Sequence, residues 1–257
     1  MVESILVPTD FSKNAWKALQ YAATLATQTD RKLIVVHAFS QAEATVNERM
    51  VQLLNQLKVE FPKLDCHGLC NKGDLNEVLS SIVKKQLPKL IIMGTKGASG
   101  LKDLIMGSNT LSIITQFAVP VLAVPENNNF YTINKVGLLS NYKNSEIDVM
   151  RKSIAVLPSN FKLMLLHIRE NENDDEEIIL NSWTEIVKDK TDLKKVDYKI
   201  GIGSDIPSIV NDLIQKEQIN LLVVTNNGKS FFKNLFNRNL IKAIALRPQI
   251  PILFIKA

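Results

Sequence analysis

Short apolar runs alternate with longer segments of helical periodicity along this chain, and the alternation restricts the folds open to it. In the first half, the apolar runs at 5–8 and 33–36 are each followed by a segment in which apolar residues recur every three or four positions. Continuous apolar strands separated by helices are typical of a parallel sheet that is covered on both faces. The sequence therefore predicts an α/β fold.

The same pattern continues to the end of the first half. Strands are predicted at 5–8, 33–36, 64–70, 90–93 and 119–124, and helices at 14–27, 41–57, 75–86 and 109–117. Ser12 stands just before the first helix, at the position where an N-cap residue is expected. A polar, turn-rich linker at 126–129 then ends the first set of elements.

After the linker the pattern repeats. At an offset of 131 residues, Val136 aligns with Ile5, and the apolar run 221–224 aligns with the run 90–93. Self-similarity at a fixed offset is the signature of a repeated structural unit. We therefore expect two tandem doubly wound parallel sheets of five strands each.

A glycine-rich segment follows the fourth predicted strand. Gly94 and Gly97 are separated by two residues, and nine further residues lead to Gly107 and Ser108. Glycine removes the Cβ that would block a ligand, and the free N–H groups at a helix start favour an anion. The segment predicts a phosphate-binding loop, although its spacing fits neither the P-loop nor the dinucleotide-binding fingerprint. Glycines that serve only as turn residues are the alternative.

Three segments of the first half together resemble the universal stress protein family in its ATP-binding branch. They are the G-x-x-G-x(9)-G-S pattern from Gly94 to Ser108, the chain start Ile5-Leu-Val-Pro-Thr-Asp-Phe-Ser12, and the strand end Val35-Val-His-Ala38. The likeness is close over residues 2–125 and looser beyond them. It implies a universal stress domain with an ATP-binding motif at 1–126 and a degenerate copy of that domain at 135–257.

The resemblance also implies a ligand site. The family's strand order, 3-2-1-4-5, opens a crevice between the first and fourth strands, where ligands of open α/β sheets bind. There Asp10 would accept hydrogen bonds from the ribose hydroxyls. Pro8 and Thr9 would line the adenine side, and the backbone of Ala38 would meet the adenine edge.

The remaining implied contacts come from the glycine-rich segment. Met93 and Gly94 would flank the ribose and the phosphates, and Thr110 would close the site at the helix start. The phosphate chain would be held by the backbone N–H groups of Gly97, Gly107, Ser108 and Asn109 and by the hydroxyl of Ser108. Lys96 and Lys102 would be either charge partners of the phosphates or ordinary surface lysines.

The implied ligand is ATP, or ADP or AMP, accompanied by Mg²⁺ or Mn²⁺. Beyond Asp10 we find no convincing general base, nucleophile or metal cluster in the predicted crevice. His37 is interpreted as a structural strand-end histidine because His167 recurs in a matching context. We therefore expect an ATP-binding sensor or switch of the stress response rather than an enzyme, with slow hydrolysis compatible with such a site.

The second copy has lost most of the motif. Asp10, Gly94, Gly107 and Ser108 are replaced by Asn141, Thr225, Arg238 and Asn239, and only Gly228 is retained. We predict that the second copy does not bind ATP in the family manner. Its basic loop, with Lys229, Lys233 and Arg238, either attracts another anion or is simply solvated.

Two other functional classes remain open. An enzyme of the wider adenine-nucleotide α-hydrolase-like superfamily would carry a Ser-Gly-Gly loop after the first strand or a His-x-Gly-His motif, and this chain has neither. A protein-interaction module without nucleotide, as in the non-binding branch of the family, is the second. The loss of the motif in the second copy keeps this reading open.

Composition excludes several partners. The 257 residues carry a net charge of +5 with 6% aromatic residues, and the lysines are scattered, which argues against nucleic acid. No apolar run approaches the roughly 20 residues that a membrane span needs, and no signal peptide is apparent, so we expect a cytoplasmic protein. Cys66 and Cys70 lie on one predicted strand, about 13 Å apart, which is too far for a shared metal or a disulfide.

The edges of the two sheets suggest how the copies assemble. The fifth strands, at 119–124 and 250–255, are apolar and would be exposed at an edge, and such edges need covering. In the family these strands pair across a two-fold axis. We expect an intramolecular pairing of the two domains, which leaves room for a homodimer and for a protein partner that the sequence does not identify.

Overall fold

The computed structural model describes residues 2–40, 45–95, 106–128, 132–171, 175–226 and 250–256. The chain divides into two compact units, Met1–Tyr131 and Thr132–Ala257. Within the described residues, strands and helices alternate along the first unit and along the second unit as far as residue 226, as the apolar runs predict.

The first unit contains nine elements in its described residues. The strands are β1 (Ser4–Pro8), β2 (Lys32–Phe39), β3 (Cys66–Lys72), β4 (Leu90–Gly94) and β5 (Val121–Val124). The helices are α1 (Lys13–Thr29), α2 (Val46–Glu60), α3 (Leu75–Gln86) and α4 (Ser108–Gln116).

The strands of the first unit are all parallel. β1 lies between β2 and β4, with Leu6 opposite Ile34 on one side and Ile91 on the other. β3 continues the sheet beyond β2, and β5 continues it beyond β4. The order β3-β2-β1-β4-β5 confirms the predicted doubly wound arrangement.

The second unit repeats this arrangement. Its strands are β6 (Lys135–Leu139), β7 (Lys162–Arg169), β8 (Val196–Ile202), β9 (Leu221–Asn226) and β10 (Ile252–Lys256). Its described helices are α5 (Asn144–Ile154), α6 (Asp175–Thr191) and α7 (Ile206–Lys216). The parallel order β8-β7-β6-β9-β10 is again 3-2-1-4-5 when counted within the unit, which confirms the tandem fold.

Burial explains why the sequence alternates as it does. β1 and β4 are buried at every residue, so both faces of these strands require apolar side chains. α1 buries a stripe that includes Ala18, Leu19 and Ala22, at the spacing of one helical face. The predicted cap is confirmed, because the Ser12 hydroxyl accepts a hydrogen bond from the Ala15 N–H at 3.1 Å.

Two predicted strands begin later than expected. Leu64 was placed in the third strand, but its N–H donates to the carbonyl of Phe61 in a turn, and β3 begins at Cys66. The fifth strand was expected from residue 119 and begins at Val121, because Pro120 has no N–H to donate to the ladder. The predicted start of the second helix, at 41–44, lies outside the described residues.

The structure bears on membrane and metal binding only within the residues it describes. Among the helices of those ranges, none is long and apolar enough to cross a bilayer. The same ranges contain no group of three or more His, Cys, Asp or Glu side chains that could hold a metal ion. Cys66 and Cys70 are free thiols on β3, and partial burial raises the pKa of both.

Candidate functional site

A cavity of about 180 Å³ opens where β1 and β4 of the first unit end. This is the point at which the strand order reverses, the usual ligand position in an open parallel sheet. The cavity is lined by thirteen residues: Pro8, Thr9, Asp10, Ala15, His37, Ala38, Leu75, Met93, Gly94, Gly107, Ser108, Asn109 and Thr110.

Most residues that the sequence singled out are brought together here. Ten of the twelve predicted ligand residues line the cavity. The other two, Lys96 and Gly97, lie outside the described residues, as does Lys102. Complete ligand pockets typically measure about 300–1,000 Å³. The described residues therefore enclose a smaller volume than a complete ligand pocket usually has.

The turn after β1 is fixed by its own side chains. The Thr9 hydroxyl accepts from the Phe11 N–H, and Asp10 Oδ1 accepts from the Ser12 N–H, both at 3.0 Å. Phe11 between them has φ 60°, a left-handed conformation that a bulky residue rarely adopts. The turn thus holds the Asp10 carboxylate at the cavity through an oxygen that is already hydrogen-bonded.

His37 joins β2 to this turn. Its Nδ1–H donates to the Thr9 carbonyl at 2.8 Å, so in a neutral ring Nε2 is the acceptor nitrogen. Its ring packs against Phe11 with centroids 4.5 Å apart, and the guanidinium of Arg49 lies 4.5 Å from the Phe11 centroid. These contacts agree with the structural role predicted for His37. The His37 ring also lines the cavity.

The start of α4 forms the opposite wall. Two contacts tie it to β4: the Gly107 N–H donates to the Thr95 carbonyl at 2.7 Å, and Thr110 Oγ1 donates to the Gly94 carbonyl at 3.0 Å. Gly107 is the N-cap residue and has no side chain with which to satisfy the N–H groups of the first helical turn. The positive end of the α4 dipole therefore meets the cavity.

These contacts change the expected part of Gly107. The resemblance implied that its N–H holds phosphate, but that N–H is engaged by the Thr95 carbonyl. The backbone of Gly107, with φ −63° and ψ 154°, is one that any residue can adopt. The conformation of Gly107 therefore does not explain why this residue is glycine, and the residue lines the cavity.

Gly94 has a different reason to be glycine. A Cβ at this position would lie 2.7 Å from Nδ2 and 2.9 Å from Cγ of Asn14, which is buried on α1. The missing side chain of Gly94 thus makes room for helix α1. The sequence suggests that this glycine makes room for a phosphate. Its Cβ would instead point at Asn14 of α1.

Three lining residues were not among the predicted ligand contacts: Ala15, His37 and Leu75. Ala15 follows the Ser12 cap by three residues, and that spacing places it in the first turn of α1, next to the crevice. Leu75 is the first residue of α3, after the Asp74 cap. The strand order brings the start of α3 to this cavity. The sequence around Leu75 therefore contains no local signal that this residue lines the site.

Comparisons with known proteins agree with this architecture. Residues 1–125 match the model of the Universal stress protein family. A curated universal stress protein of Methanocaldococcus jannaschii is 26% identical over a stretch that covers 50% of this chain and 98% of that protein.

Solved structures of two other proteins are similar to this chain over nearly its full length. A universal stress protein from Archaeoglobus fulgidus covers 98% of this chain and 96% of its own, with 15% identity and a TM-score of 0.65. A functionally unknown protein from Pseudomonas aeruginosa covers 99% of this chain and 92% of its own, with 15% identity and a TM-score of 0.66. At these identities the likeness speaks for the fold. Residues 1–125 thus match the universal stress protein family model, and both units share the fold of a solved universal stress protein.

Proposed function

We propose that the first unit binds one adenine nucleotide, with ATP the preferred ligand, and that the protein acts as a nucleotide-dependent sensor or switch in the stress response. The observation that carries the proposal is the meeting of two different ligand-binding features at one cavity. The Asp10 carboxylate lines the cavity just after the end of β1. The start of α4, whose N-cap residue is the glycine at 107, lines the cavity on the side of β4.

The two walls suit the two ends of a nucleotide. Pro8, Ala38, Leu75 and Met93 supply apolar surface, which suits the flat faces of a base. A carboxylate accepts hydrogen bonds only, so Asp10 matches the two hydroxyl donors of a ribose. The base would therefore lie on the β2 side of the cavity, with the ribose beside Asp10.

The phosphates would lie at the start of α4. Ser108 and Asn109 are the first residues of this helix, where backbone N–H groups point out of the helix and favour an anion. The Ser108 hydroxyl adds a further donor. A divalent ion such as Mg²⁺ or Mn²⁺ would bind mainly through the phosphate oxygens, as is usual for triphosphates.

We further propose that the nucleotide is held rather than rapidly turned over. The two lining side chains best suited to proton transfer are Asp10 and His37. Asp10 accepts from the Ser12 N–H, and His37 donates to the Thr9 carbonyl, so each has a structural task. Slow hydrolysis is compatible with this arrangement.

The first test is the nucleotide content of the purified protein, measured by chromatography after denaturation. It is followed by calorimetric titration with ATP, ADP, AMP and cyclic AMP in the presence of Mg²⁺. We expect close to one adenine nucleotide per chain. The absence of both co-purified nucleotide and measurable binding would reject the proposal and favour an interaction module that works without nucleotide.

Matched variants locate the site. Gly107→Arg copies the second unit and should abolish binding, because the arginine side chain fills the space beside the first turn of α4. Ser108→Ala should weaken binding about five- to tenfold, the usual effect of losing one hydrogen bond. The control is Ser112→Ala, one turn further along α4 and not among the lining residues. Equal affinity for all four proteins would place the ligand elsewhere.

A further inference from the structure

The two units share the anchoring of their strand-end turns. In the first unit, His37 Nδ1 donates to the Thr9 carbonyl at 2.8 Å. In the second unit, His167 Nδ1 donates to the Ser140 carbonyl at 3.0 Å. The histidine at the end of the second strand therefore holds the end of the first strand in both units.

The turns themselves are also equivalent. Phe11 has φ 60° and Tyr142 has φ 61°, and each ring packs against the histidine of its unit at 4.5 and 4.7 Å. The helix that follows starts at Lys13 in the first unit and at Asn144 in the second, an offset of 131 residues in both comparisons. The third residue of each helix is thus the same structural position.

That position is Ala15 in the first unit and Glu146 in the second. Ala15 lines the candidate nucleotide cavity. Glu146 turns back onto the strand end, where Oε2 accepts from the Ser140 hydroxyl at 2.6 Å and Oε1 accepts from the Asn141 N–H at 2.8 Å. In the second unit, a carboxylate of the chain itself therefore occupies polar groups of Ser140 and Asn141, which correspond to Thr9 and Asp10 of the first unit.

We propose that Glu146 blocks nucleotide binding at this strand end of the second unit, and that a carboxylate at this position excludes a nucleotide in addition to the loss of the glycine motif. The nucleotide part of this inference rests on the proposed function of the first unit. A fixed carboxylate repels phosphate, and it also satisfies donors that a ligand would otherwise use. Adding a repulsive group is an effective way to exclude one ligand from a shared fold.

The contact has a structural component as well. Lys143, the N-cap of α5, makes no side-chain capping bond in the described structure, and an acidic residue at the third helical position commonly reaches back to the strand side. Capping alone would stabilise α5 without affecting ligand choice. The capping role and the effect on ligand choice are separated by two measurements. One follows the Glu146 contact with the Asn141 N–H, and the other follows the exclusion of ATP by a carboxylate at this position.

The contact is tested without any nucleotide, by residue-resolved hydrogen exchange of the Asn141 amide in the full chain. We expect this amide to be protected in the wild type and to exchange about tenfold faster or more in Glu146→Ala, because its acceptor is lost. Glu146→Gln should retain most of the protection, since its amide oxygen can still accept. Unchanged protection in Glu146→Ala would overturn the inference.

Exclusion is tested by transplanting the carboxylate. Ala15→Glu should weaken ATP binding by tenfold or more, about 1.4 kcal/mol per factor of ten. Lys13→Glu is the control, because it places a carboxylate on the same helical turn but on an exposed side chain. Denaturant unfolding of each variant establishes that it is folded.

The outcomes separate this inference from the proposed function. ATP binding to Ala15→Glu within threefold of the wild type, or an equal loss in Lys13→Glu, would overturn the inference and leave the first-unit site intact. A wild type that binds no nucleotide would reject the proposed function. In that case the Asn141 measurement still decides whether Glu146 makes this contact in the second unit.

Discussion

Asn14 is 6% exposed and packs where a side chain at position 94 would otherwise lie. Both its side-chain amide and its backbone carbonyl, at 3.2 Å from the hypothetical Cβ, approach Gly94. Moving the amide alone would not relieve the contact, because the backbone of α1 is also close. A single glycine at the end of β4 consequently sets the distance between this helix and the sheet.

Gly94→Ala should therefore destabilise the protein by about 1–3 kcal/mol, the usual range for overpacking. Gly137→Ala in β6 is the matched control. A Cβ there would meet Ile219 at 3.2 Å, a distance that small side-chain adjustments can absorb. The measurement is urea unfolding of both variants, and equal stabilities would show that α1 can move away from β4 at little cost.

Tyr21 offers a second prediction at the residue scale. Its ring is 1% exposed, and its hydroxyl has no hydrogen-bond partner among the described residues. Burial raises its pKa above the ordinary value of about 10. When folding raises the pKa of an acidic group, the free energy of unfolding is highest at pH values below the group's unfolded pKa. It falls as the pH rises above that pKa, because the unfolded state releases the proton first.

Tyr21→Phe should thus equal or exceed the wild type in stability at pH 7, by up to about 1 kcal/mol, because an unsatisfied buried hydroxyl is removed. Between pH 7 and pH 10.5 it should lose less stability than the wild type. Urea unfolding at the two pH values checks this, with Tyr198→Phe, a half-buried tyrosine, as the control. Identical alkaline losses in wild type and Tyr21→Phe would contradict the argument.

At the scale of elements, two hydrogen bonds fix the start of α4 beside the end of β4. Thr110 is buried and ties the first turn of α4 to the Gly94 carbonyl. The same helix contains a second threonine, Thr115, whose hydroxyl donates to the Leu111 carbonyl within the helix. The two side chains share a chemistry but differ in what they connect.

Thr110→Val should cost about 1–2 kcal/mol, because it leaves a buried carbonyl without its partner. It should also weaken nucleotide binding, since the start of α4 is no longer fixed beside the cavity. Thr115→Val should have a smaller effect on stability and none on binding, because the Leu111 carbonyl belongs to the helix ladder. Calorimetric titration and urea unfolding of both variants decide the matter.

How far the sequence alone predicted these elements depends on the range of the interactions involved. Helix α3 lies at the residues that the sequence predicts, because a helical pattern is a local signal. Gly94 was singled out correctly as a special glycine, but its reason depends on Asn14, eighty positions earlier, which only the fold brings near. Leu75 reached the cavity wall for the same non-local reason.

At the scale of the whole molecule, the chain repeats one fold with unequal chemistry. Both units have the same parallel strand order, the same left-handed turn and the same strand-end histidine. They differ in the motif residues and at the third residue of the helix after the first strand, which is Ala15 in one unit and Glu146 in the other. On this shared scaffold, we expect a ligand site in the first unit only.

This inequality predicts where a ligand acts. Saturating Mg-ATP should slow amide exchange at the β1–α1 and β4–α4 junctions of the first unit, because a bound ligand stabilises the state it binds. The Asn141 region of the second unit should not respond. Hydrogen exchange with and without nucleotide gives the answer in one experiment, and protection spread equally over both units would contradict a single site.

The pair of hydrogen bonds that closes the β4–α4 junction has a practical consequence. Because the Gly107 N–H is joined to the Thr95 carbonyl, the start of α4 is held at a fixed place beside the end of β4. A fluorophore attached at position 112, one turn further along α4, would share this fixed place without replacing a residue that lines the cavity. A protein labelled in this way could report the adenine nucleotide binding that we propose for the cavity as a change in fluorescence.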